Sequence, residues 1–307
     1  MVEDKTIKDD KIRQSVREAY SNKVNKFPTS NCCGSSKSIA NEIPESKSCM
    51  SNGCGGDLDL SAEKKEQFMK RYGVQLGYTE EELNKIPKES NLGLGCGNPT
   101  ALASIKLGEI VLDLGSGGGL DCFIAANKVG KTGKVIGVDM TPAMISKARE
   151  NAVRGNYDNV EFRLGEIENL PVADNSVDIV ISNCVINLSP DKEQVFREAF
   201  RVLKPRGRLM VSDIVLLKEL PNAIKNNAKA YASCIGGAIL KNNYLNAIER
   251  AGFRDVKVLQ ENNFSTTQFL LNNDDIRDAL GEQIETLKEF EQLDIDSSSI
   301  SVKATKH

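Results

Sequence analysis

Histidine is almost missing: among 307 residues only the terminal His307 carries an imidazole. An internal imidazole base, a His-ligated metal and a Ser-His-Asp triad are therefore all excluded. Long runs of one charge sign are missing too. With 40 basic and 43 acidic residues the formal net charge is −3, which leaves no electrostatic footprint for nucleic acid or an anionic membrane. No stretch approaches the roughly 20 apolar residues that span a bilayer, and the start, MVEDKTIKDDKIRQ, is charged where a signal peptide is apolar. We expect a cytoplasmic protein with a small-molecule ligand and neither nucleic-acid nor membrane partners.

What the chain does have is cysteine, at positions 32, 33, 49, 54, 96, 122, 184 and 234. In a reducing compartment these act more readily as ligands, nucleophiles or redox pairs than as structural disulfides. With 40% hydrophobic and 27% charged residues, the chain can bury one sizeable core plus an appendage, or two modest domains.

Ile12, Val16, Tyr20 and Val24 recur four apart among charges, predicting one amphipathic helix over 6–25 that packs on a larger body. From 27 to 59 the composition shifts to Ser, Asn, Gly and Cys, a loop rather than a core. Its Cys32-Cys33 pair and the five-residue step from Cys49 to Cys54 fit an irregular zinc set, a thiol-rich segment exchanging disulfides or binding a soft ion, or plain linker. Ser61 and Thr79 start two helices, the second with Glu82 placed for a capping box. NLGLGCGNP then sets Cys96 among glycines 93, 95 and 97, with little side-chain cover.

The organising stretch is Glu109 to Met140, read as strand, glycine turn, helix and strand. Apolar 110–114 is interrupted only by Asp113, and glycines 115, 117 and 119 let the backbone turn sharply and approach a ligand. Leu120 stands where a dinucleotide GxGxxG wants Gly or Ala, and Asp113 would oppose a pyrophosphate. A carboxylate there suits an ammonium group instead, and Asp139, ending KVIGVD, can accept both ribose hydroxyls. Together these favour S-adenosylmethionine over a nicotinamide cofactor.

Further alternation follows: helix 142–154 behind Thr141 and Pro142, strands 160–164 and 177–182, helix 191–203, strand 208–215, helices 222–232 and 243–251, and strand 255–260. A helix at 276–291, a polar DIDSSS turn and a closing edge strand in SISVKAT complete the chain. Strands separated by helices imply an α/β fold, mostly parallel and covered on both faces. Cys122, in DCFIAA, is assigned to core packing. Cys184 follows the fourth strand at the carboxyl edge, where open sheets bind ligands. With Cys96 and Cys234 it offers three thiols on three loops around that edge, enough for a thiophilic trivalent ion whose lone pair faces a methyl donor.

VLDLGSGGG, GVDMTPAMISKAREN, LPVADNSVDIVISN, RVLKPRGRLMVSDI and AGFRDVKV resemble the class I methyltransferases over about residues 100–307. NLGLGCGNP, SNCVINLSPDK and CIGGA resemble the three cysteine segments of the arsenite S-adenosylmethionine methyltransferases, and VREAYSNKV…NCCG their start. The resemblance implies a Rossmann-like, seven-stranded fold with an N-terminal helical, Cys-rich extension. It implies a segment 1–59 ahead of a methyltransferase domain 60–307, whose cofactor core is about 100–218 and whose arsenic-binding and C-terminal elements are 219–307. The implied activity is methylation of trivalent arsenic, arriving as arsenite or its thiol conjugates, on Cys96, Cys184 and Cys234, with Cys54 helping capture. The implied cofactor residues are Asp113, Gly115, Ser116, Gly117, Asp139, Met140, Glu166, Ile167 and Asn183, with Gly165 beside them. A thioredoxin or glutathione-type thiol would reverse cysteine oxidation.

Two other functions remain open at this point. A quinone-biosynthesis-type carbon or oxygen methyltransferase has a similar cofactor domain but needs a base, which Glu, Asp or Tyr would have to supply. A non-catalytic arsenic- or metal-sequestering protein would use the thiols alone.

Overall fold

Apolar residues alternate between two faces along each central strand, and this alternation sets the architecture of the computed structural model. The structure describes residues 2–25, 62–225, 227–271 and 296–307. Seven strands form one sheet: β1 (Ile110–Leu114), β2 (Lys134–Asp139), β3 (Val160–Leu164), β4 (Val177–Asn183), β5 (Leu203–Leu216), β6 (Arg254–Ser265) and β7 (Asp296–Thr305), in the order β3-β2-β1-β4-β5-β7-β6. The first five are parallel, and β7 runs antiparallel to both β5 and β6.

The described helices are α1 (Val2–Asn25), α2 (Ala62–Gln75), α3 (Glu80–Asn84), α4 (Pro99–Leu102), α5 (Leu120–Val129), α6 (Pro142–Arg154), α7 (Lys192–Val202), α8 (Asn222–Lys225), α9 (Ala228–Ala232), α10 (Lys241–Arg250) and α11 (Thr266–Leu271). On one face Val111, Val135 and Ile179 pack with Phe123 and Ala126 of α5 and Ile145 and Ala148 of α6. On the other, Leu112, Ile136 and Val180 pack with Val195 and Phe196 of α7 and Tyr244 and Ile248 of α10. Strands buried on both faces read as near-continuous apolar runs, as β1 and β4 do. None of the described helices is long and apolar enough to cross a membrane.

The capping box at Thr79 forms, with Glu82 returning the bond. Thr141 stands at the N-cap of α6, yet its side chain makes no capping bond; the carboxylate of Asp139 takes the Thr141 amide instead, at 2.8 Å. The expected closing edge strand is interior, because β7 inserts between β5 and β6 and is bonded on both sides. The residues 296–299 expected in a turn belong to it. Two of their three serine hydroxyls are paired, Ser299 with the Cys96 carbonyl and Ser297 with Thr266 of α11, whereas the buried Ser298 hydroxyl has no partner among the described residues. The expected helix 222–232 is two pieces, α8 and α9. Cys32, Cys33, Cys49, Cys54, Ser61 and the expected helix 276–291 lie outside the described residues.

Candidate active site

Register brings the carboxyl ends of five strands level. Leu114 pairs with Val138 and Ser182, Asp139 with Leu164, and Asn183 with Ser212. Strand order reverses between β1 and β4, which is the switch point where open α/β sheets hold ligands.

On the β1–β2 side, Gly115 and Ser116 both donate to the Val138 carbonyl, at 2.8 and 3.0 Å. Gly115 has φ +67°, and a Cβ there would lie 2.3 Å from Val185 Cγ2, so glycine is obligatory. Asp139 caps the arrangement, accepting from the Gly117 amide at 3.0 Å. Asp113 is 3% exposed, and among the described residues its carboxylate is met only by the Cys122 thiol, at 3.2 Å. Burial, and then the nearby Asp121, push the Asp113 carboxyl well above the usual carboxylate range. Cys122 is buried in the core as expected, but it is also this donor. Ser116 Oγ is buried with no hydrogen-bond partner among the described residues.

Gly165 donates to the Asp139 carbonyl at 3.0 Å, joining the turn after β3 to the same edge. Of the expected adenine-bordering residues, Ile167 is buried in the core. Glu166 faces outward and is paired with Arg17 at 3.0 Å and Arg13 at 3.5 Å. Met140 packs beside the cysteine cluster.

The three expected cysteines meet one strand further along. Cys184 directly follows β4, its amide donating to Ser212 O at 2.8 Å. Cys96 is brought over the edge by Asn183, whose Oδ1 accepts the Cys96 amide at 3.0 Å while its Nδ2 reaches Gly97 O, the Tyr78 hydroxyl and Asp121. Glycine is required at Gly95 too, at φ +123° with a Cβ position 2.9 Å from the Asn183 side-chain amide. Ser299 and Tyr72 fix the same loop by donating to Cys96 O and Gly95 O, at 2.8 and 3.0 Å. Cys96 is thus half-buried rather than open. Cys234 follows α9, and its thiol donates to the Cys184 carbonyl at 2.9 Å.

The Cys96 and Cys184 sulfurs and one oxygen of Asp213 all lie within 4.8 Å of one another. Cys234 stands beside this set through Cys184 rather than inside it. Asp213, on β5, was missed by the sequence reading; the available signal was a single acid in the apolar strand LMVSDIVL. It is fully buried and accepts from Asn187 Nδ2 at 2.8 Å, Tyr244 at 3.2 Å and the Ile214 amide at 2.9 Å. Burial pushes it up to about 7.

All three thiols are held above their ordinary range. The bond from Cys184 favours the charged form of Cys96, but burial and Asp213 outweigh it. In Cys184 the bond from Cys234 is outweighed by the bond to Cys96 and by burial, and the bond with Cys184, then burial, raises Cys234. The three resting thiols are therefore neutral near pH 7. It can meet a soft, multivalent electrophile, and it is poorly suited to free thiolate nucleophilicity.

With this geometry in place, relatives are informative. A family described as "Methyltransferase domain" matches residues 105–252. A solved arsenic (III) S-adenosylmethionine methyltransferase from Chlamydomonas reinhardtii is 34% identical, with a TM-score of 0.57 over 78% of this chain and 73% of that one. The chain belongs to the arsenic(III) S-adenosylmethionine methyltransferase family. Within this methyltransferase family, an arsenite methyltransferase of Halobacterium salinarum is 41% identical over 277 residues, 90% of this chain and 65% of its own length. One of Aquipseudomonas alcaligenes is 41% identical over 192 residues, 60% and 55% respectively. The chain thus spans about two fifths to two thirds of the length of the curated arsenite methyltransferases it matches.

Proposed function

We propose that this chain methylates trivalent arsenic, with S-adenosylmethionine as methyl donor and Cys96, Cys184 and Cys234 as the thiols that hold the arsenic. The observation that carries the reading is the convergence of these thiols one residue beyond β4, beside the glycine turn and away from any imidazole. The alternative of sequestration leaves the turn, Asp113 and Asp139 without a purpose, and the quinone-type alternative leaves the thiols without one. The names of the relatives support the same reading.

The residues fit the methyl donor. Asp113 is a buried carboxylate met by a weak thiol donor, as an ammonium partner would be before binding. Ser116 Oγ lacks a partner, and Asp139 stands at the end of β2 for ribose hydroxyls. When bound, S-adenosylmethionine supplies a methyl whose bond to sulfur breaks, the pair staying on sulfur, as the arsenic lone pair forms the new As–C bond.

The chain's part is to load and aim the arsenic. Neutral thiols exchange with As(OH)3 without a base, since each As–S bond formed releases one water that carries off the thiol proton and one hydroxyl. With a thiol conjugate, each incoming cysteine gives its proton to the departing thiol. Three sulfurs leave the lone pair of the pyramidal arsenic free, and the glycine-lined turn lets the backbone approach the donor closely. Methyl transfer takes arsenic formally from +3 to +5; two electrons from two thiols, which become a disulfide, return it. A thioredoxin or glutathione-type thiol then reduces that disulfide back to two thiols, itself becoming oxidised.

The test is mass spectrometry of arsenic products when the protein is mixed with arsenite, S-adenosylmethionine and a thiol reductant. Methylated arsenic and S-adenosylhomocysteine are expected, and their absence with every reductant refutes the reading. Cys184→Ser and Cys234→Ser should each abolish product while cofactor binding by calorimetry persists.

A further inference from the structure

α1 presents one working face. Arg13, Val16 or Arg17, and Tyr20 recur at the three- and four-residue spacing that stacks side chains along one side of a helix. Arg13 reaches Glu168 Oε1 at 3.4 Å and Glu166 Oε2 at 3.5 Å, and Arg17 reaches Glu166 Oε1 at 3.0 Å. Both glutamates lie just after β3, at the edge where the cofactor is proposed to sit. Glu168 is nearly buried and otherwise accepts from the Ser189 hydroxyl at 2.7 Å, so Arg13 supplies the positive charge it needs. The Arg17 pair is half-exposed and open to screening by salt.

Further along the same face the helix reaches the thiols. Val16 is 2% exposed in a cluster with Leu188, Cys234 and Ile235, against which Cys96 and Cys184 pack. The Tyr20 hydroxyl lies 3.9 Å from Cys234 Sγ and 3.4 Å from Ala232 O. The helix therefore touches α6, behind the cofactor edge, and α9, next to Cys234.

We propose that α1 is a cover shared by the two sites, latched on Glu166 and Glu168 by Arg13 and Arg17, and that closing it makes Tyr20 a positioning residue for Cys234. The inference rests on reading the three cysteines as the arsenic site. To join Cys96 and Cys184 around one arsenic, Cys234 must turn its sulfur away from the Cys184 carbonyl that it now meets at 2.9 Å. The Tyr20 hydroxyl can donate to that sulfur once its proton has gone, and the helix keeps water from it. Lifting α1 would open the edge for cofactor exchange and withdraw this donor together. Occupancy of one site is thereby coupled to affinity at the other.

The test uses the full chain, following hydrogen exchange of α1 amides and arsenite affinity with and without S-adenosylhomocysteine. In wild type, S-adenosylhomocysteine should slow α1 exchange and tighten arsenite binding, roughly fivefold or more. Raised salt should weaken that coupling by screening the latch. The Arg13→Gln/Arg17→Gln double variant should lose the coupling and its salt dependence, though neither arginine touches a thiol. Tyr20→Phe should weaken arsenite binding while leaving cofactor affinity as in wild type. Wild-type coupling in the double variant, or salt-insensitive coupling in wild type, overturns the latch. Unchanged arsenite affinity in Tyr20→Phe overturns the positioning role. A wild-type chain that neither binds nor methylates arsenite overturns the arsenic reading as well, whereas wild-type methylation with α1 exchange indifferent to both ligands overturns the cover alone.

Discussion

The Cys234 thiol donates to the backbone carbonyl of Cys184 at 2.9 Å, and both residues hold left-handed backbone, at φ +66° and +58°. Glycine adopts that region freely, whereas a β-carbon there costs on the order of 1 kcal/mol. Cysteine at these two positions thus carries backbone strain that glycine would not.

Replacement by glycine should therefore be less harmful to folding than replacement by alanine. Cys184→Gly is expected to exceed Cys184→Ala in stability by about 1 kcal/mol in urea unfolding, with the same order for Cys234. None of the four variants should hold arsenite. Equal stabilities of the Gly and Ala forms would mean the turns are not strained.

Asp213 gives a pH signature. Burial pushes it up to about 7, while an aspartate in the unfolded chain titrates near 3.9. Between those values the folded state keeps a proton that the unfolded chain has released. The stability contributed by this group is thus complete below about pH 4 and is lost as pH rises through about 7, by up to about 1.4 kcal/mol per unit. Asp213→Asn has no such proton, so the stability of wild type relative to the variant should fall between about pH 4.5 and about pH 7.5 in paired urea titrations. A constant difference would show that Asp213 titrates in the ordinary range.

Asn183 holds the Cys96 loop and the Tyr78–Asp121 pair at the same time. In Asn183→Ala the Cys96 amide loses its acceptor and Gly97 O loses its donor, while Tyr78 keeps Asp121 at 2.7 Å. Leaving such groups unpaired costs about 1–3 kcal/mol, measurable by urea unfolding. The more telling readout is alkylation of Cys96, which should speed up as its loop loosens. Unchanged stability and alkylation would remove the clamp.

The order and type of the central elements were legible because β1, β2 and β4 are apolar on both faces and each is followed by a glycine, proline or capping signal. Cys96, Cys184 and Cys234 were legible as a group through the likeness of NLGLGCGNP, SNCVINLSPDK and CIGGA to the cysteine segments of one family; Cys184 or Cys234 taken alone reads as readily as core. The place of β7 was not legible. Alternation in SISVKAT says that one strand exists, but its partners, β5 and β6, lie far away in sequence, and nothing local tells an interior strand from an edge. Asp213 escaped for a related reason, as did the hold of Asn183 on the Cys96 loop, though Asn183 itself was expected beside the cofactor: each acts through contacts with distant residues, Asn187 and Tyr244 for one, Cys96 and Tyr78 for the other. Arg13 and Arg17 looked like ordinary surface charge on an amphipathic helix until the loop after β3 was seen beneath them.

Gly115 separates the two halves of the proposed chemistry. A methyl group there would lie 2.3 Å from Val185 Cγ2, next to Cys184, and the residue also sits at φ +67°. Gly115→Ala should abolish measurable cofactor binding, because the turn must open to relieve the clash and its amide leaves Val138 O. Adding Val185→Ala removes the steric part but not the backbone part, so about 1 kcal/mol of strain stays and binding should return only in part. Val185→Ala alone keeps the turn but empties space beside Cys184, so it should loosen arsenite more than cofactor. Calorimetry with S-adenosylhomocysteine and, separately, with arsenite checks all three variants. Full recovery in the double variant would show that crowding by Val185, rather than left-handed backbone, is the sole reason for glycine at this turn.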